Sequence, residues 1–229
     1  MLVRNWMSKP VVTVEADSSM LEAVNLIKQQ RIRMLPVLQA GKLVGVVTDR
    51  DLKRSSASDA SSLEVHEMLY LISRLTVKEI MTPRVITVPS DYTIEETAEI
   101  LLRNKISGVP VLDAAGQLVG VITQTDIFRA IIALTGIGKK GVQVAVRLED
   151  RPGSIQEAAD IIRDHGGRLV SILSSYDRVP EGYRNVYIRF YGTDPSNLEP
   201  LHQALGEKCV LLYMVDHRNN WRQIYAPEP

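Results

Sequence analysis

The chain contains an internal duplication, and this feature constrains its fold more than any other. Short stretches of the first half recur 74 or 75 positions later: Val3 as Val77, Met7 as Met81, Thr13-Val14 as Thr87-Val88, Pro36-Val37-Leu38 as Pro110-Val111-Leu112, and Gly45–Asp51 as Gly120–Asp126. The spacing grows by one within a polar turn that contains glycine, where an insertion is tolerated. Such a repeat indicates two copies of one supersecondary unit that pack together.

Both copies predict the same order of elements: a short extended segment, a helix, two strands joined by a glycine-centred hairpin, and a second helix. Capping patterns open the first helices, Ser19-x-x-Glu22 and Thr93-x-x-Glu96. The predicted extended segments and strands are Val11–Val14, Met34–Leu38 and Leu43–Val47, then Val85–Val88, Val109–Leu112 and Leu118–Ile122. Between the copies, Ser55–Ser62 has the composition of a linker, and Leu63–Leu75 predicts a helix.

A threonine and an aspartate mark the end of the last strand in each copy. They are Thr48 and Asp51 in the first copy, and Thr123 and Asp126 in the second. At a helix N-terminus, the hydroxyl and free backbone N–H groups can bond phosphate, and the carboxylate can accept from ribose hydroxyls. The alternative is a helix cap, because both residue types cap helices without binding anything. Their presence in both copies favours a sugar-phosphate site.

The last third of the chain has a different pattern. It predicts a βαββαβ order: a strand at Val142–Leu148, a helix from Ser154, strands near Arg168–Tyr176 and Tyr183–Tyr191, a helix at Asn197–Leu205 and a strand at Cys209–Val215. The tail His217–Pro229 is predicted to be partly ordered or a partner contact. The predicted domains are 1–60, 61–135 and 141–216, with a linker at 136–140 and a tail at 217–229.

Composition and spacing argue against several classes of function. A formal net charge of zero gives no global field for nucleic acid or an anionic membrane. The lone Cys209 fits a reducing cytoplasm, and no apolar run reaches the length of a membrane span. Three apparent motifs are rejected: Gly136-x-Gly138-x-x-Gly141 precedes a strand, His66-Glu67 lacks a second histidine, and Asp49-Arg50-Asp51 has no nucleophile. We therefore expect neither catalysis nor a metal site.

The motifs of the duplication carry a family resemblance. Residues 1–135 resemble two CBS domains, through Met7-Ser8 and Met81-Thr82, the Leu-Pro-Val and Val-Pro-Val strands, and the two strand ends with threonine and aspartate. Residues 141–216 resemble an ACT domain, through Asp150-Arg151-Pro152-Gly153. The implied fold class is α+β, with two tandem βαββα-type CBS repeats forming a Bateman module and a ferredoxin-like βαββαβ ACT domain. The domain order is similar to that of acetoin-utilisation (AcuB) proteins.

The CBS resemblance implies two clefts for an adenine nucleotide or related ligand: AMP, ADP, ATP, NAD or S-adenosylmethionine. The implied binding residues are Thr13, Val14, Arg33, Met34, Leu35, Thr48 and Asp51 in the first copy, and Thr87, Val88, Ser107, Gly108, Val109, Thr123 and Asp126 in the second. Arg33 can bond phosphate in fork geometry, whereas Gly108 leaves room for a base. The copies differ at these positions, which predicts unequal sites, with the more highly phosphorylated ligand where Arg33 reaches.

The ACT resemblance implies an amino-acid ligand held by the turn at Asp150, Arg151, Pro152 and Gly153. Arg168 replaces an asparagine that is common in the family, so it either selects a carboxylate or belongs to a domain that only dimerises. We expect a cytoplasmic, homodimeric and non-catalytic sensor that binds an adenosine-containing molecule and acts on a metabolic enzyme partner, with no role for nucleic acid or membrane. The alternative is a dimerisation scaffold without a ligand, and an enzyme is the third option.

Overall fold

The computed structural model describes residues 1–58 and 74–225, except for the side chains of residues 55–58. These residues form two compact units, one ending at Ala130 and the other beginning at Ile131. No helix within the described ranges is long and apolar enough to cross a membrane. Most of the predicted linker and helix between the copies, and the His66-Glu67 pair, lie outside the described residues.

In the first unit, the two copies have the same architecture. The first copy contains β1 (Val14–Glu15), α1 (Met20–Gln30), β2 (Met34–Gln39), β3 (Lys42–Thr48) and α2 (Asp49–Ser58). The second contains α3 (Val77–Ile80), β4 (Val88–Pro89), α4 (Ile94–Asn104), β5 (Gly108–Leu112), β6 (Leu118–Thr123) and α5 (Gln124–Thr135). Each sheet has three strands, in the orders β1-β2-β3 and β4-β5-β6, with a parallel first pair and an antiparallel second pair.

Local chemistry explains where the helices begin and end. Ser19 Oγ accepts from the Glu22 N–H at the start of α1, and Thr93 and Glu96 form a reciprocal capping box at the start of α4. Both helices end at a residue in the left-handed region, Arg31 and Lys105. These helices and the four longer strands confirm the predictions. The initial strands are shorter than expected, and residues 55–58, predicted as linker, are helical.

The segment that precedes the first strand of each copy packs on the other copy. Val3 is fully buried in the core of the second copy, where its N–H donates to Tyr92 O over 2.8 Å. Val77 is fully buried in the core of the first copy, where its N–H donates to Ser18 O over 2.9 Å. The leading segments are therefore exchanged, and each core needs side chains from both copies.

The second unit is a five-stranded antiparallel sheet with two helices on one face. Its elements are β7 (Val142–Glu149), α6 (Ser154–Asp164), β8 (Arg168–Ser175), β9 (Tyr183–Tyr191), α7 (Leu198–Gly206), β10 (Val210–Asp216) and β11 (Trp221–Ile224). The sheet order is β11-β10-β7-β9-β8. Alternate residues of the central strands, among them Val144 and Ile188, meet Ile162 of α6 and Leu201 of α7 in the core. The βαββαβ order matches the prediction, but β11 forms where only a partly ordered tail was expected.

Candidate functional site

The two threonine–aspartate pairs form similar helix caps, and the first pair makes one hydrogen bond more than the second. Thr48 Oγ1 donates to Asp51 Oδ2 over 2.6 Å, the Thr48 N–H donates to the same oxygen over 3.0 Å, and the Asp51 N–H donates to Thr48 Oγ1 over 3.3 Å. At the other pair, the Thr123 hydroxyl and N–H donate to Asp126 Oδ2 over 2.7 and 2.9 Å. The alternative interpretation as caps is therefore correct for both pairs.

Capping uses only one oxygen of each carboxylate. Asp51 Oδ1 lies 3.8 Å from Arg54 Nη2, and Asp126 Oδ1 lies 3.3 Å from Arg129 Nη1. Both arginine side chains are largely exposed, at 82% and 68%, so they can turn away at little cost. Each cap therefore leaves Oδ1 as an acceptor, while the threonine hydroxyl, already donating to the carboxylate, holds that carboxylate in place.

Asp51 lies in the larger of the two clefts that contain the aspartates, and we call this the Asp51 cleft. Its volume is about 760 Å³. It is lined by Arg33, Met34, Val46, Thr48, Asp49, Arg50, Asp51, Lys53, Thr82, Arg84, Ile86, Lys105, Ile106, Ser107, Gly108, Pro110 and Gln124. Five of these side chains are cationic and two are acidic, and Lys53 is paired with Asp49 over 3.6 Å. The cleft therefore favours an anionic ligand.

Asp126 lies in a smaller cleft, which we call the Asp126 cleft. Its volume is about 380 Å³, and it is lined by Ser8, Pro10, Val11, Val12, Arg31, Ile32, Arg33, Met34, Ser107, Gly108, Val121, Thr123, Gln124, Thr125, Asp126 and Arg129. Three of its side chains are cationic and one is acidic. Both volumes fall in the range of small-molecule sites.

The exchanged leading segments build one wall of each cleft. Ser8 bonds to Val121 through its N–H over 2.8 Å, and this brings the segment beginning at Ser8 into the Asp126 cleft. Thr82 bonds to Val46 in the same way, also over 2.8 Å, and this brings the segment beginning at Thr82 into the Asp51 cleft. Each cleft is therefore composite, with the aspartate from one copy and the leading segment from the other.

Four of the predicted binding residues line both clefts: Arg33, Met34, Ser107 and Gly108. An ideal Cβ at Gly108 would lie 3.1 Å from both Ile122 O and Thr123 Cγ2, and 3.5 Å from Met34 Cε. The glycine thus allows the strand to approach the cap closely. Since Arg33 reaches both clefts, it does not distinguish them as the sequence predicted.

Other predicted residues lie elsewhere. The side chains of Val14 and Val88 are buried in the two cores, so only their backbone could flank a base. The reason is register: both valines pair with central-strand residues inside their sheets and point inward. Thr13 lines neither cleft, and Thr87 lines a separate depression with Gly41 and others.

The side chains of Leu35 and Val109 are likewise buried, and only their backbone remains available to a ligand. Sequence reasoning did not single out four other residues that line the clefts: Val11 and Val12 in the Asp126 cleft, and Arg84 and Ile86 in the Asp51 cleft. The repeated Met7-Ser8 and Met81-Thr82 were the available signal, because they fix where each segment crosses to the other copy.

The predicted amino-acid ligand residues of the second unit are not brought together. Strands β7 and β8 both run antiparallel to β9, so they run in the same direction. The turn after β7 and Arg168 at the start of β8 therefore lie at opposite ends of the sheet, roughly 20 Å apart. The Arg151 guanidinium is already paired, because it donates to both carboxylate oxygens of Glu157 over 2.7 and 2.8 Å. These hydrogen bonds lower the pKa of Glu157.

Comparison with known proteins identifies the first unit. The CBS domain model matches residues 3–58 and 77–133. A CBS domain-containing protein of Dictyostelium discoideum is 30% identical over 132 residues, a match that covers 57% of this chain and 91% of that protein. The chain belongs to the CBS domain family. The two copies are a CBS domain pair, and their clefts are those of a Bateman module.

Two solved structures resemble the CBS pair. The CBS domain pair of protein MJ0100, in complex with 5′-methylthioadenosine and S-adenosyl-L-methionine, is 32% identical with a TM-score of 0.50, and the match covers 58% of this chain and 97% of that one. An acetoin utilization protein (AcuB) of Vibrio cholerae is 26% identical with a TM-score of 0.50, and the match covers 61% and 96%.

Some relatives are much longer than the region they share with this chain. An inosine-5′-monophosphate dehydrogenase of Korarchaeum cryptofilum is 36% identical over 124 residues, and these form 23% of that enzyme. The match therefore covers less than a quarter of that enzyme, and it carries no activity to this chain. The family match here ends at residue 133, so it describes only the CBS pair.

Proposed function

We propose that the CBS pair is a non-catalytic sensor of adenine nucleotides or related adenosine compounds. The observation that carries this proposal is the duplicated cap, which holds a carboxylate in each cleft with one oxygen left to accept from ribose hydroxyls. Support comes from the MJ0100 pair, a similar CBS pair seen with two adenosine-containing ligands. In this proposal Asp51 and Asp126 bind ribose, and Thr48 and Thr123 position them.

The two clefts should differ in the ligand they prefer. The Asp51 cleft has twice the volume of the other, and its cationic side chains outnumber its acids by three, against two in the Asp126 cleft. Phosphate groups are bound best where several cations converge. The Asp51 cleft should therefore take the more highly phosphorylated ligand, such as ATP, and the Asp126 cleft should take AMP or an uncharged nucleoside.

The second unit is proposed to be a ferredoxin-like ACT domain spanning residues 141–216, after CBS domains at 1–60 and 61–135. Its βαββαβ order and antiparallel sheet support this assignment. Strand β8 is an edge strand of the sheet, and pairing with a second copy would cover such an edge. In this proposal a cytoplasmic homodimer transmits nucleotide binding to a metabolic enzyme, with acetoin metabolism as one candidate pathway given the AcuB neighbour.

Isothermal titration with AMP and ATP tests the ligand sites. Asp51→Asn and Asp126→Asn keep an oxygen for the cap but replace the free acceptor with an N–H₂ donor. Losing a hydrogen bond to a charged group costs about 1.5–3 kcal/mol, so each substitution should weaken binding about 10–100-fold at its own cleft. Asp51→Asn should affect ATP more, and Asp126→Asn should affect AMP more.

Asp17→Asn and Asp91→Asn are matched controls, because these exposed aspartates recur between the copies but line neither cleft. If the cleft substitutions change binding no more than the controls do, the assignment of the sites is wrong. If each cleft variant weakens AMP binding and ATP binding by the same factor, the two clefts do not differ in the ligand they prefer.

A scaffold without a ligand is the second candidate, and one observation favours it: the caps satisfy both threonines and one oxygen of each aspartate without any ligand. Thermal denaturation separates the two functions. A ligand at 100 times its Kd adds about 2.7 kcal/mol to the free energy of unfolding. A chain whose stability no adenine nucleotide or S-adenosylmethionine changes would be a scaffold.

A further inference from the structure

The second unit has a cavity on the sheet face opposite its helices, unrelated to the clefts of the CBS pair. Its volume is about 760 Å³, and we call it the open-face pocket. The residues that matter here are Gln143, Arg147, Asn185, Tyr187, Tyr213 and His217. They are polar or aromatic and come from three adjacent strands and the turn after β10.

A buried guanidinium contacts Gln143, one of the residues that line this pocket. Arg189 is only 4% exposed, although it is on the face that carries no helix of the core. Its Nε donates to Thr135 O over 2.8 Å, and its Nη2 donates to Gln143 Oε1. Its Nη1 is buried and has no hydrogen-bond partner among the described residues. None of the described carboxylates forms an ion pair with it.

An arginine buried in this way is costly unless an anion compensates its charge. Taking a guanidinium out of water costs several kcal/mol, which a carboxylate or a metal-bound anion normally offsets. Here burial lowers the pKa of Arg189, and the compensation visible in the described chain is a carbonyl and an amide oxygen. Arg189 is therefore a buried cation whose charge is not compensated by any described carboxylate.

Further hydrogen-bonding groups line the pocket. Burial and the nearby Arg189 lower the pKa of His217, which favours its neutral ring, and its buried Nε2 has no hydrogen-bond partner among the described residues. Arg147 donates from Nε to Asn185 Oδ1 over 3.2 Å, which leaves its terminal nitrogens available. The single lining carboxylate, Asp177, lies 3.9 Å from Arg178. The nearby Asp216 is held by Arg218 over 2.9 Å. The pocket therefore has a positive excess that its own acids do not cancel.

Two tyrosines give the pocket an apolar wall. Tyr187 and Tyr213 are both cross-strand partners of Ala145, which is fully buried between them. Because alanine is small, the two rings approach to 6.4 Å between centroids, at an angle of 35°. The Tyr213 hydroxyl accepts from Gln143 Nε2 over 3.2 Å, which links the aromatic wall to the residue that holds Arg189.

We propose that the open-face pocket binds a small organic anion, with a carboxylate or phosphate group bound by Arg147 and His217 and an apolar part packed on Tyr187 and Tyr213. Arg189, held behind Gln143, adds positive charge without lining the pocket. Charge complementarity favours this occupant over an apolar protein surface, since three arginines and one acid line the pocket. The site is independent of the proposed nucleotide clefts, because every lining residue lies in the second unit.

Titration calorimetry on the full-length protein tests the proposal with two probes, phenyl phosphate and benzoate, and with neutral benzyl alcohol as the uncharged comparison. Measurements in the Asp51→Asn, Asp126→Asn double variant separate this site from the nucleotide clefts. At least one of the two anions should bind the double variant with the affinity that it has for the wild type. Benzyl alcohol should bind at least tenfold more weakly than that anion. The stronger anion shows whether phosphate or carboxylate is preferred.

Arg147→Gln and His217→Gln should each weaken the anion about tenfold, whereas Arg163→Gln, an exposed arginine on α6 paired with Asp160, should not. These residues are partly exposed, so the variants should fold. The proposal is overturned if neither anion binds, or if both variants bind as the wild type does. It is also overturned if sedimentation shows a dimer that Arg147→Gln dissociates, since a second copy would then occupy this face.

Discussion

At the scale of single residues, capping and ligand binding are not competing explanations of the threonine–aspartate pairs. A carboxylate has two oxygens, and the cap uses Oδ2 of Asp51 and Asp126 while Oδ1 stays available. The cap also orders the side chain before a ligand arrives, so less conformational entropy is lost on binding. A residue pair that caps a helix can therefore also make a binding site rigid.

Replacing the hydroxyl at one cap tests this coupling. Thr123→Val removes the donor that lies 2.7 Å from Asp126 Oδ2, whereas Thr123→Ser keeps it. We expect the valine variant to lose about 1 kcal/mol of stability, as for other lost caps. It should also bind AMP several-fold more weakly, because Asp126 is no longer held. Urea unfolding and calorimetry measure both effects, and equal AMP affinities of the valine and serine variants would contradict the positioning role.

At the scale of elements, the sequence predicted the strands and helix starts that hydrophobic periodicity and capping residues determine. Strands β2, β3, β5 and β6 and the starts of helices α1 and α4 were predicted within a residue or so, because hydrophobic patterning and N-caps are local signals. Strand β11 was missed because its four residues are all exposed, so no burial pattern marks it. Ser55–Ser58 extends α2 despite a serine-rich composition.

The residues of the candidate site were predicted less evenly than the elements. The aspartates were predicted because a motif contains them, and both line a cleft. The side chains of Val14 and Val88 point into the cores because of their strand register, and the exchange of leading segments between copies is a tertiary feature that neither repeat reveals alone. Such exchange also explains why Val11 and Val12 serve the cleft of the other copy.

Two glycines leave room for methionine side chains of the exchanged segments. A Cβ at Gly45 would lie 2.3 Å from Met81 Sδ, and a Cβ at Gly120 would lie 2.3 Å from Met7 Sδ. Gly45→Ala and Gly120→Ala should each cost about 1–3 kcal/mol through overpacking, measured by urea unfolding. Gly138→Ala is the control, because nothing lies within 4 Å of its Cβ position.

Methionine is flexible, so the contact itself can be checked. In a Met81→Ala background, Gly45→Ala should cost much less than it does alone, because the crowded sulfur is gone. Additive losses in the double variant would show that the glycine is needed for another reason.

At the scale of the whole molecule, the CBS pair should behave as one interlocked unit in which each core depends on the other copy's leading segment. Val3 and Val77 occupy equivalent positions in the duplication, and both are fully buried, but in opposite cores. Val3→Ala and Val77→Ala are therefore a matched pair. Each should cost about 1.5–3 kcal/mol, from lost burial and the cavity left behind.

Hydrogen exchange locates the damage that each substitution causes. Val3→Ala should raise exchange mainly in β5, β6 and α4, far along the chain from the substitution, and Val77→Ala should raise it mainly in β2, β3 and α1. A chain without exchange of segments would give the opposite result, with each variant loosening the copy that follows it in sequence. Because each cleft shares this wall, Val3→Ala should also weaken binding at the Asp126 cleft more than at the Asp51 cleft, and Val77→Ala should do the reverse.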